Sequence, residues 1–305
     1  MKLPVHFILC MGLTFGAASH VQAQPPVPAL DGQMVRLNAS HLWTPAPLKP
    51  VAIDQSEQIA ADLYAPAISP NGDQVLLFEP GEPGEPNRLH LWVKDFTATH
   101  VVAADREISG YITWQDDQTY AMRSHSRPFV RESTPLVYEL ASKKLPVVRY
   151  RKPIAASQLS AYDAGDVIVL ENARNQTLQA ISDTHHDRYY APIISPDERY
   201  VVFNGLTTGV HLFDVTHNTV VYVGAGGTNP AFSPDGRYLI YAQTTDNGHE
   251  FTSGDLVLLD LEKHTSRLIA NPHHEIRLRG TLSRDARKIA YETEDGKVIR
   301  GRLTF

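Results

Sequence analysis

A short sequence motif that recurs along the chain constrains its fold more than any other feature. The motif begins at Tyr64 (Tyr-Ala-Pro-Ala-Ile-Ser-Pro-Asn-Gly), Tyr190, Asn229 and Gly280, and a short run of aliphatic and aromatic residues follows each copy. In a tight turn, proline fixes φ, Asp or Asn bonds its own backbone, and glycine accepts a positive φ. Each copy therefore predicts a turn that joins the first strand of a repeated unit to the second.

Three units share a second motif, in which apolar residues lead to an Asp, another apolar residue and a turn. The Asp residues are Asp95, Asp214 and Asp260, and a further strand-like run follows each copy. Since they occupy the same repeat position, we interpret them as turn residues and not as a set for acid–base catalysis. Each unit is thus predicted to be a four-stranded antiparallel meander of roughly 36 to 50 residues, the repeat length of a propeller blade.

The spacing of the motifs sets the predicted number of units. The serine of the first motif stands at positions 69, 195, 233 and 283. The long gap between the first two positions accommodates two degenerate units, around 108–122 and 158–170. We therefore predict an all-β fold, a six-bladed β-propeller of four-stranded antiparallel blades, in which the third blade (about 155–187) is short.

The last unit predicts how such a ring would close. It begins near Ile276 and has room for only three strands before Phe305. A sheet edge without a partner strand is a site for unwanted pairing. We expect part of the N-terminal segment, within about 33–59, to add the missing outer strand, so that the N-terminal segment closes the ring.

The N-terminus has the layout of a secretory signal peptide. Lys2 is followed by the apolar run Phe7–Ala18 and by the small-x-small sequence Val21-Gln22-Ala23, which predicts cleavage after residue 23. The predicted organisation is a signal peptide (1–23), a Pro-rich segment with the ring-closing strand (24–63) and the propeller (64–305). The protein is expected to be exported, most simply to the periplasm. Cys10, the only cysteine, lies in the signal peptide, so a mature chain would have no thiol or disulfide.

Charge and hydropathy exclude some partners. The chain has 28 Lys and Arg residues and 34 Asp and Glu residues, which gives a formal net charge of −6. An acidic chain without a basic run argues against nucleic acid as a partner. The apolar run near the N-terminus is shorter than the roughly 20 residues that a spanning helix needs. We expect a monomer that does not insert into the membrane.

The repeats resemble those of a known family. The Ser-Pro-Asp-Gly turn, the Asn-Pro or Ala-Pro before it and the Arg-Tyr-Leu-Ile-Tyr-Ala strand after it are similar to the repeats of the TolB propeller. Prolyl-oligopeptidase-type propellers and oligogalacturonate lyase have similar repeats. The resemblance covers about 64–305 and implies a six-bladed periplasmic propeller, without the additional N-terminal α/β domain of TolB. WD40-like repeats fit less closely, because no unit has the Gly-His and Trp-Asp pair.

Two doubled histidines are the candidate binding residues. His185-His186 and His273-His274 each lie ten residues before the serine of their unit, and the acids Asp187 and Glu275 follow them. These positions predict equivalent loops on one face of the disc, in the fourth and sixth units. Imidazoles with a carboxylate can bind a metal. The resemblance to the lyase implies functional histidines on a propeller face, because that family uses histidines there. The alternative is that they are solvated or capping loop residues, since none of the usual metal-site spacings occurs.

Motifs of common enzyme classes are not present in the sequence. It contains no Gly-x-Ser-x-Gly elbow, no His-Glu-x-x-His and no P-loop, so we predict no catalytic residue and no cofactor from motifs. The favoured hypothesis is a periplasmic propeller that acts as a protein-binding or scaffold module for a protein or peptide partner in the cell envelope. The alternative is a metal-assisted enzyme, such as a polysaccharide lyase, that uses the histidines.

Overall fold

The regular structure of this protein consists of β-strands throughout the described part of the chain. The computed structural model describes residues 49–95, 98–106, 108, 112–122, 136–140, 148–153, 158–183 and 187–305. A first strand, β1, covers Ala52–Ala61, and the strands form six antiparallel sheets within these ranges. The same ranges contain no helix, so the all-β prediction is confirmed for the described residues.

The sheets follow one another along the chain as meanders of consecutive strands. The first sheet contains β2 (Tyr64–Ile68), β3 (Gln74–Glu79), β4 (Asn87–Val93) and β5 (His100–Asp105). The second contains β6 (Ile112–Trp114), β7 (Thr119–Met122), β8 (Leu136–Leu140) and β9 (Val148–Pro153). The third contains β10 (Leu159–Asp163), β11 (Ile168–Asn172) and β12 (Thr177–Ala180).

The remaining three sheets lie in the second half of the chain. The fourth sheet contains β13 (Tyr189–Ile194), β14 (Tyr200–Gly205), β15 (Gly209–Asp214) and β16 (Thr219–Gly224). The fifth contains β17 (Gly227–Phe232), β18 (Tyr238–Asp246), β19 (Phe251–Asp260) and β20 (Thr265–Leu268). The sixth contains β21 (Arg277–Leu282), β22 (Lys288–Thr293) and β23 (Lys297–Thr304), with β1 on its outer edge.

The third sheet departs from the prediction of four strands in every blade. It has three strands, and the chain passes from Ala180 at the end of β12 to Tyr189 at the start of β13 without another described strand. Residues 184–186 of this connection lie outside the described residues. Since β13 belongs to the fourth sheet, the described residues of this connection add no fourth strand to the third sheet. The prediction is wrong for the described part of this sheet.

One turn structure joins the first two strands in four of the sheets. In the fifth sheet, the buried Ser233 hydroxyl donates to Asp235 Oδ1 at 2.6 Å and accepts the Tyr238 amide at 2.9 Å. Asp235 Oδ1 also accepts the Arg237 amide at 3.1 Å, and Gly236 takes the left-handed φ of 76°. The equivalent serines, Ser69, Ser195 and Ser283, make the same bonds with the acid or amide two residues later. The serine thus holds both sides of the turn together.

The first, fourth, fifth and sixth sheets each pack both of their faces, because apolar residues alternate sides along the strands. In β3, Leu76 and Phe78 pack toward the second sheet, whereas Val75 and Leu77 pack toward the sixth. Other buried clusters join the third sheet to the fourth, the fourth to the fifth and the fifth to the sixth. The first strands of neighbouring sheets also contact one another, as β2 does with β6 and β21. The core is therefore a series of apolar layers between sheets.

The N-terminal strand completes the sixth sheet. β1 pairs antiparallel with β23, from Ala52 opposite Thr304 to Ala61 opposite Lys297. It begins inside the predicted range of 33–59 and ends beyond that range. Just before it, the fully buried Val51 bridges to Ile269 beside β20. This segment therefore fastens to both the fifth and the sixth sheets.

Polar contacts reinforce the junction between the sixth and first sheets. The amide of Ala65 donates to the buried carboxylate of Glu292 at 2.7 Å, and the amide of Ile68 donates to Thr281 Oγ1 at 3.2 Å. Lys288 Nζ lies 2.9 Å from Asp73 Oδ1. The first of these bonds joins residues 227 positions apart in the sequence, so this junction brings the two ends of the repeat region together.

The serine turn generates a stability prediction. Replacing Ser233 by Ala removes an acceptor for the Tyr238 amide and a donor for Asp235, so the free energy of unfolding should fall by about 1–3 kcal/mol. Urea unfolding followed by circular dichroism measures this loss. The control is Ser56→Ala at an exposed position of β1, which should change stability little; equal effects in both variants would contradict the role of the turn serine.

Candidate functional site

The structure describes four of the six candidate binding residues. His185 and His186 lie outside the described residues, whereas Asp187, His273, His274 and Glu275 are described. Asp187 stands two residues before β13 and Glu275 two residues before β21. The two acids therefore occupy equivalent positions in the loops that enter the first strands of the fourth and sixth sheets.

Asp187 is held by a set of hydrogen bonds from the hairpin between β14 and β15. Its carboxylate accepts the Thr208 hydroxyl at 2.6 Å, the Thr208 amide at 2.8 Å and the Thr207 amide at 3.0 Å. It also accepts the amide of Arg188 at 2.8 Å. Burial acts to raise the pKa of Asp187, but these bonds outweigh it and lower the pKa to about 2. A carboxylate with so low a pKa is a weak base, and its lone pairs already secure the loop.

The hydrogen bonds continue from Asp187 into the core. Thr208 Oγ1 lies 2.7 Å from His211 Nε2, and the His211 ring stacks on Phe203 with 5.3 Å between centroids. Burial lowers the pKa of His211 to about 4, against the opposing charge of Asp187. The Thr208 hydroxyl donates its hydrogen bond to the carboxylate, so the neutral imidazole donates from Nε2 to Thr208.

This order of groups differs from that of a catalytic triad. In a triad the imidazole lies between the carboxylate and the hydroxyl and takes the hydroxyl proton. Here the Thr208 hydroxyl lies between Asp187 and His211, and the imidazole is a donor. The arrangement stabilises the hairpin and does not activate a nucleophile.

Glu275 is likewise tied to its surroundings. Its backbone amide donates to Asn271 Oδ1 at 3.1 Å, and its carbonyl accepts Asn271 Nδ2 at 2.7 Å. Its carboxylate lies 3.4 Å from Arg277 Nη2 and accepts the Tyr291 hydroxyl at 3.3 Å. Burial raises the pKa of Tyr291 to about 12, with Arg277 opposing and Glu275 adding to the effect. Both candidate acids thus serve structural contacts.

His273 and His274 are exposed in the turn before Glu275. The amide of His274 donates to the carbonyl of Asn271 at 3.1 Å, and its backbone takes a left-handed φ of 53°. Within the described ranges, His, Asp and Glu side chains form no group of three or more that could hold a metal ion. A site that also uses His185 and His186 falls outside those ranges, and the metal hypothesis for these residues stays a prediction.

A second region, which the sequence interpretation missed, lies at the opposite ends of the sheets. An open cavity of about 510 Å³ lies beside the serine turns of the fifth and sixth sheets. We call it the arginine groove, lined by Arg237, Lys263, Arg267, Arg284, Arg287 and Phe305. Arg267 lies in β20, Phe305 follows β23 and the other four lie in turns, so no local motif marks them.

Some charges of the arginine groove are already paired. Arg237 Nη2 lies 3.2 Å and Lys263 Nζ 3.8 Å from the Asp260 carboxylate. Arg267 and Arg284 have no carboxylate within 4.0 Å among the described residues. The Arg267 guanidinium instead lies 5.9 Å from the centroid of the Phe305 ring, which is 57% exposed.

Comparisons with known proteins identify the fold but not a family. No protein-family model and no curated protein matches the chain. Among matching solved structures is a chain titled "Crystal Structure of Mitotic Checkpoint Complex", with a TM-score of 0.53, 12% sequence identity, and coverage of 90% of this chain and 100% of that chain. Together with the four-stranded antiparallel sheets, this match indicates a WD40-like β-propeller fold. Within the described residues, no helix has the length and apolar character to cross a bilayer.

The buried imidazole generates a pH prediction. Between pH 6.5 and about 4, His211 is protonated in the unfolded state but neutral in the folded state. The free energy of unfolding should therefore fall as pH falls through this window. Replacing His211 by Gln removes this pH-dependent loss of stability. From pH 7.5 to 5, the wild-type protein should therefore lose about 2 kcal/mol more than the variant.

Urea unfolding at the two pH values measures the difference. The control is His249→Gln in an exposed turn, which should keep the pH dependence of the wild type. The Asp187 contribution is lost only at lower pH, between 3.8 and about 2, and does not interfere. An unchanged pH dependence in the His211 variant would contradict the assignment.

Proposed function

We propose that this protein is an exported, periplasmic, six-bladed propeller of the TolB-like type that serves as a protein-binding or scaffold module of the cell envelope. The signal-peptide pattern of residues 1–23 supports export. The pairing of β1 with β23 supports closure of the ring by the N-terminal segment. The repeats that resemble TolB supply the family hypothesis.

The arginine groove is the observation that carries the binding function. Arginine and aromatic residues are enriched in protein interfaces, and Arg anchors often dominate their energetics. The guanidinium of Arg267, in β20, lies 5.9 Å from the centroid of the exposed Phe305 ring. Arg284 lies on the turn that the hydrogen bonds of Ser283 hold together. A rigid framework that presents such groups suits binding of a partner, since little conformational freedom is lost.

The metal-assisted enzyme remains the less supported alternative. Its proposed ligands include Asp187 and Glu275, and both carboxylates are occupied by hydrogen bonds or ion pairs within the fold. A metal would have to displace these contacts, and the loops would lose the bonds that position them.

Capture from periplasmic extract tests the proposed function. Immobilised mature protein should retain at least one envelope protein, and excess untagged mature protein should displace it. The variant His273→Ala/His274→Ala should retain the same protein, because these exposed residues lie at the other end of the sheets.

Two results would contradict this function. One is that no retained protein is displaced by the untagged competitor. The other is that the purified protein contains a stoichiometric metal whose chelation lowers the melting temperature, with His273→Ala/His274→Ala abolishing that metal content. The second result would favour the enzyme alternative.

A further inference from the structure

We propose that the arginine groove binds an extended acidic peptide segment of a partner protein, an inference that rests on the binding function proposed above. The protein as a whole has a formal charge of −6. A cluster of cations is therefore unexpected from composition alone. It forms where the turns of the fifth and sixth sheets meet the end of β23.

The aspartates near the groove make hydrogen bonds within their own turns. Asp235 and Asp285 accept hydrogen bonds from the serine hydroxyls and amides of their own turns. Asp260 accepts the amides of Glu262 and Lys263, in addition to its ion pairs. These carboxylates therefore stabilise the turns and leave other cations of the groove without a close counter-charge.

The uncompensated cations are guanidinium groups. Arg267, Arg284 and Arg302 have no carboxylate within 4.0 Å in the described ranges, the carboxylate of Phe305 included. Arg287 reaches Asp285 only at 4.0 Å, with both side chains exposed, and such pairs contribute little. A guanidinium presents a planar fork that matches a carboxylate with two parallel hydrogen bonds. The free groups thus suit carboxylate ligands.

The shape of the region favours an extended chain over a small anion. A second open cavity of about 320 Å³, beside Arg302 and the end of β23, shares Arg287 and Phe305 with the groove. The two cavities therefore adjoin at Arg287 and Phe305, and each is also lined by further arginines. A peptide with spaced carboxylates and one apolar side chain can contact all of these groups at once.

The distribution of acids argues against a continuous polyanion. Asp54, Asp235, Asp260 and Asp285 line the two cavities among the cations. A nucleic acid, with a phosphate at every nucleotide, would bring charges against these carboxylates. Discrete Asp and Glu side chains can contact the arginines and avoid the acids. The groove therefore fits an acidic peptide.

Fluorescence polarisation with a defined probe tests the inference. The probe is a short synthetic peptide in which Asp and Glu alternate with Leu and Phe, and its control replaces each acid by the matching amide. The wild-type mature protein should bind the acidic peptide more tightly than the amide peptide by about tenfold or more. The affinity should fall as salt rises toward about 0.15 M.

Variants locate the binding. Arg284→Glu and Arg267→Glu should each weaken binding of the acidic peptide by about tenfold. Arg174→Glu makes the same charge change at an exposed turn of the third sheet and should leave affinity within about twofold. Circular dichroism and thermal melting check that each variant is folded; the backbone amide of Arg284 keeps its bond to the Pro70 carbonyl, so folding should persist.

Each failure has a distinct meaning. Equal binding of the amide peptide, equal loss in Arg174→Glu, or tighter binding of an oligogalacturonate than of the peptide would overturn the acidic-peptide inference. If the wild-type protein still captures an envelope protein and Arg284→Glu captures it equally, the binding function stands and the groove assignment falls. If the peptide binds at the groove but no envelope protein is displaced by competitor, the groove chemistry stands and the proposed function falls.

Discussion

The junction of the sixth sheet with the first is the contact on which the rest of this structure depends. The other described junctions join neighbours in sequence, whereas this one must bring Ala65 to Glu292 and β1 to β23. Closing so long a loop costs conformational entropy. A strand ladder with two register shifts, a buried apolar cluster and several cross-sheet hydrogen bonds offset that cost together. Without them, the outer edge of β23 would lack a partner strand, and the face of the first sheet that packs on the sixth would be exposed.

The two ends of the sheets differ in chemistry. At one end, the carboxylates of Asp187 and Glu275 make a hydrogen bond and an ion pair that hold the loops entering β13 and β21. At the other end, the acids of the serine turns accept hydrogen bonds from the serine hydroxyls. Guanidinium groups line the cavity beside Phe305. The two described acids of the first end are therefore already bonded within the fold, whereas the second end has guanidinium groups without a close carboxylate among the described residues. This contrast supports binding at the turn end.

Much of the fold could be predicted from the sequence, because the repeated turn residues act locally. Ser69, Ser195, Ser233 and Ser283 mark four sheets correctly, although the buried hydrogen bonds of the serine itself were not foreseen. The third sheet was predicted with a fourth strand because nothing local shows where a degenerate unit ends. The roles of Asp187 and the arginine groove could not be predicted, since Thr208 lies 21 residues from its partner and the arginines converge only after the sheets pack.

The most direct test of the account is a cross-link between β1 and β23. Ala61 and Lys297 are opposite each other at the end of this ladder, and both are exposed. Cys10 is the only cysteine, so an Ala61→Cys/Lys297→Cys variant that begins at residue 24 would contain a single possible pair. Closure by β1 predicts that the native protein forms this disulfide on mild oxidation and gains up to about 5 kcal/mol of stability. A pair that stays reduced in the folded protein, or a disulfide that leaves stability unchanged, would contradict the claim.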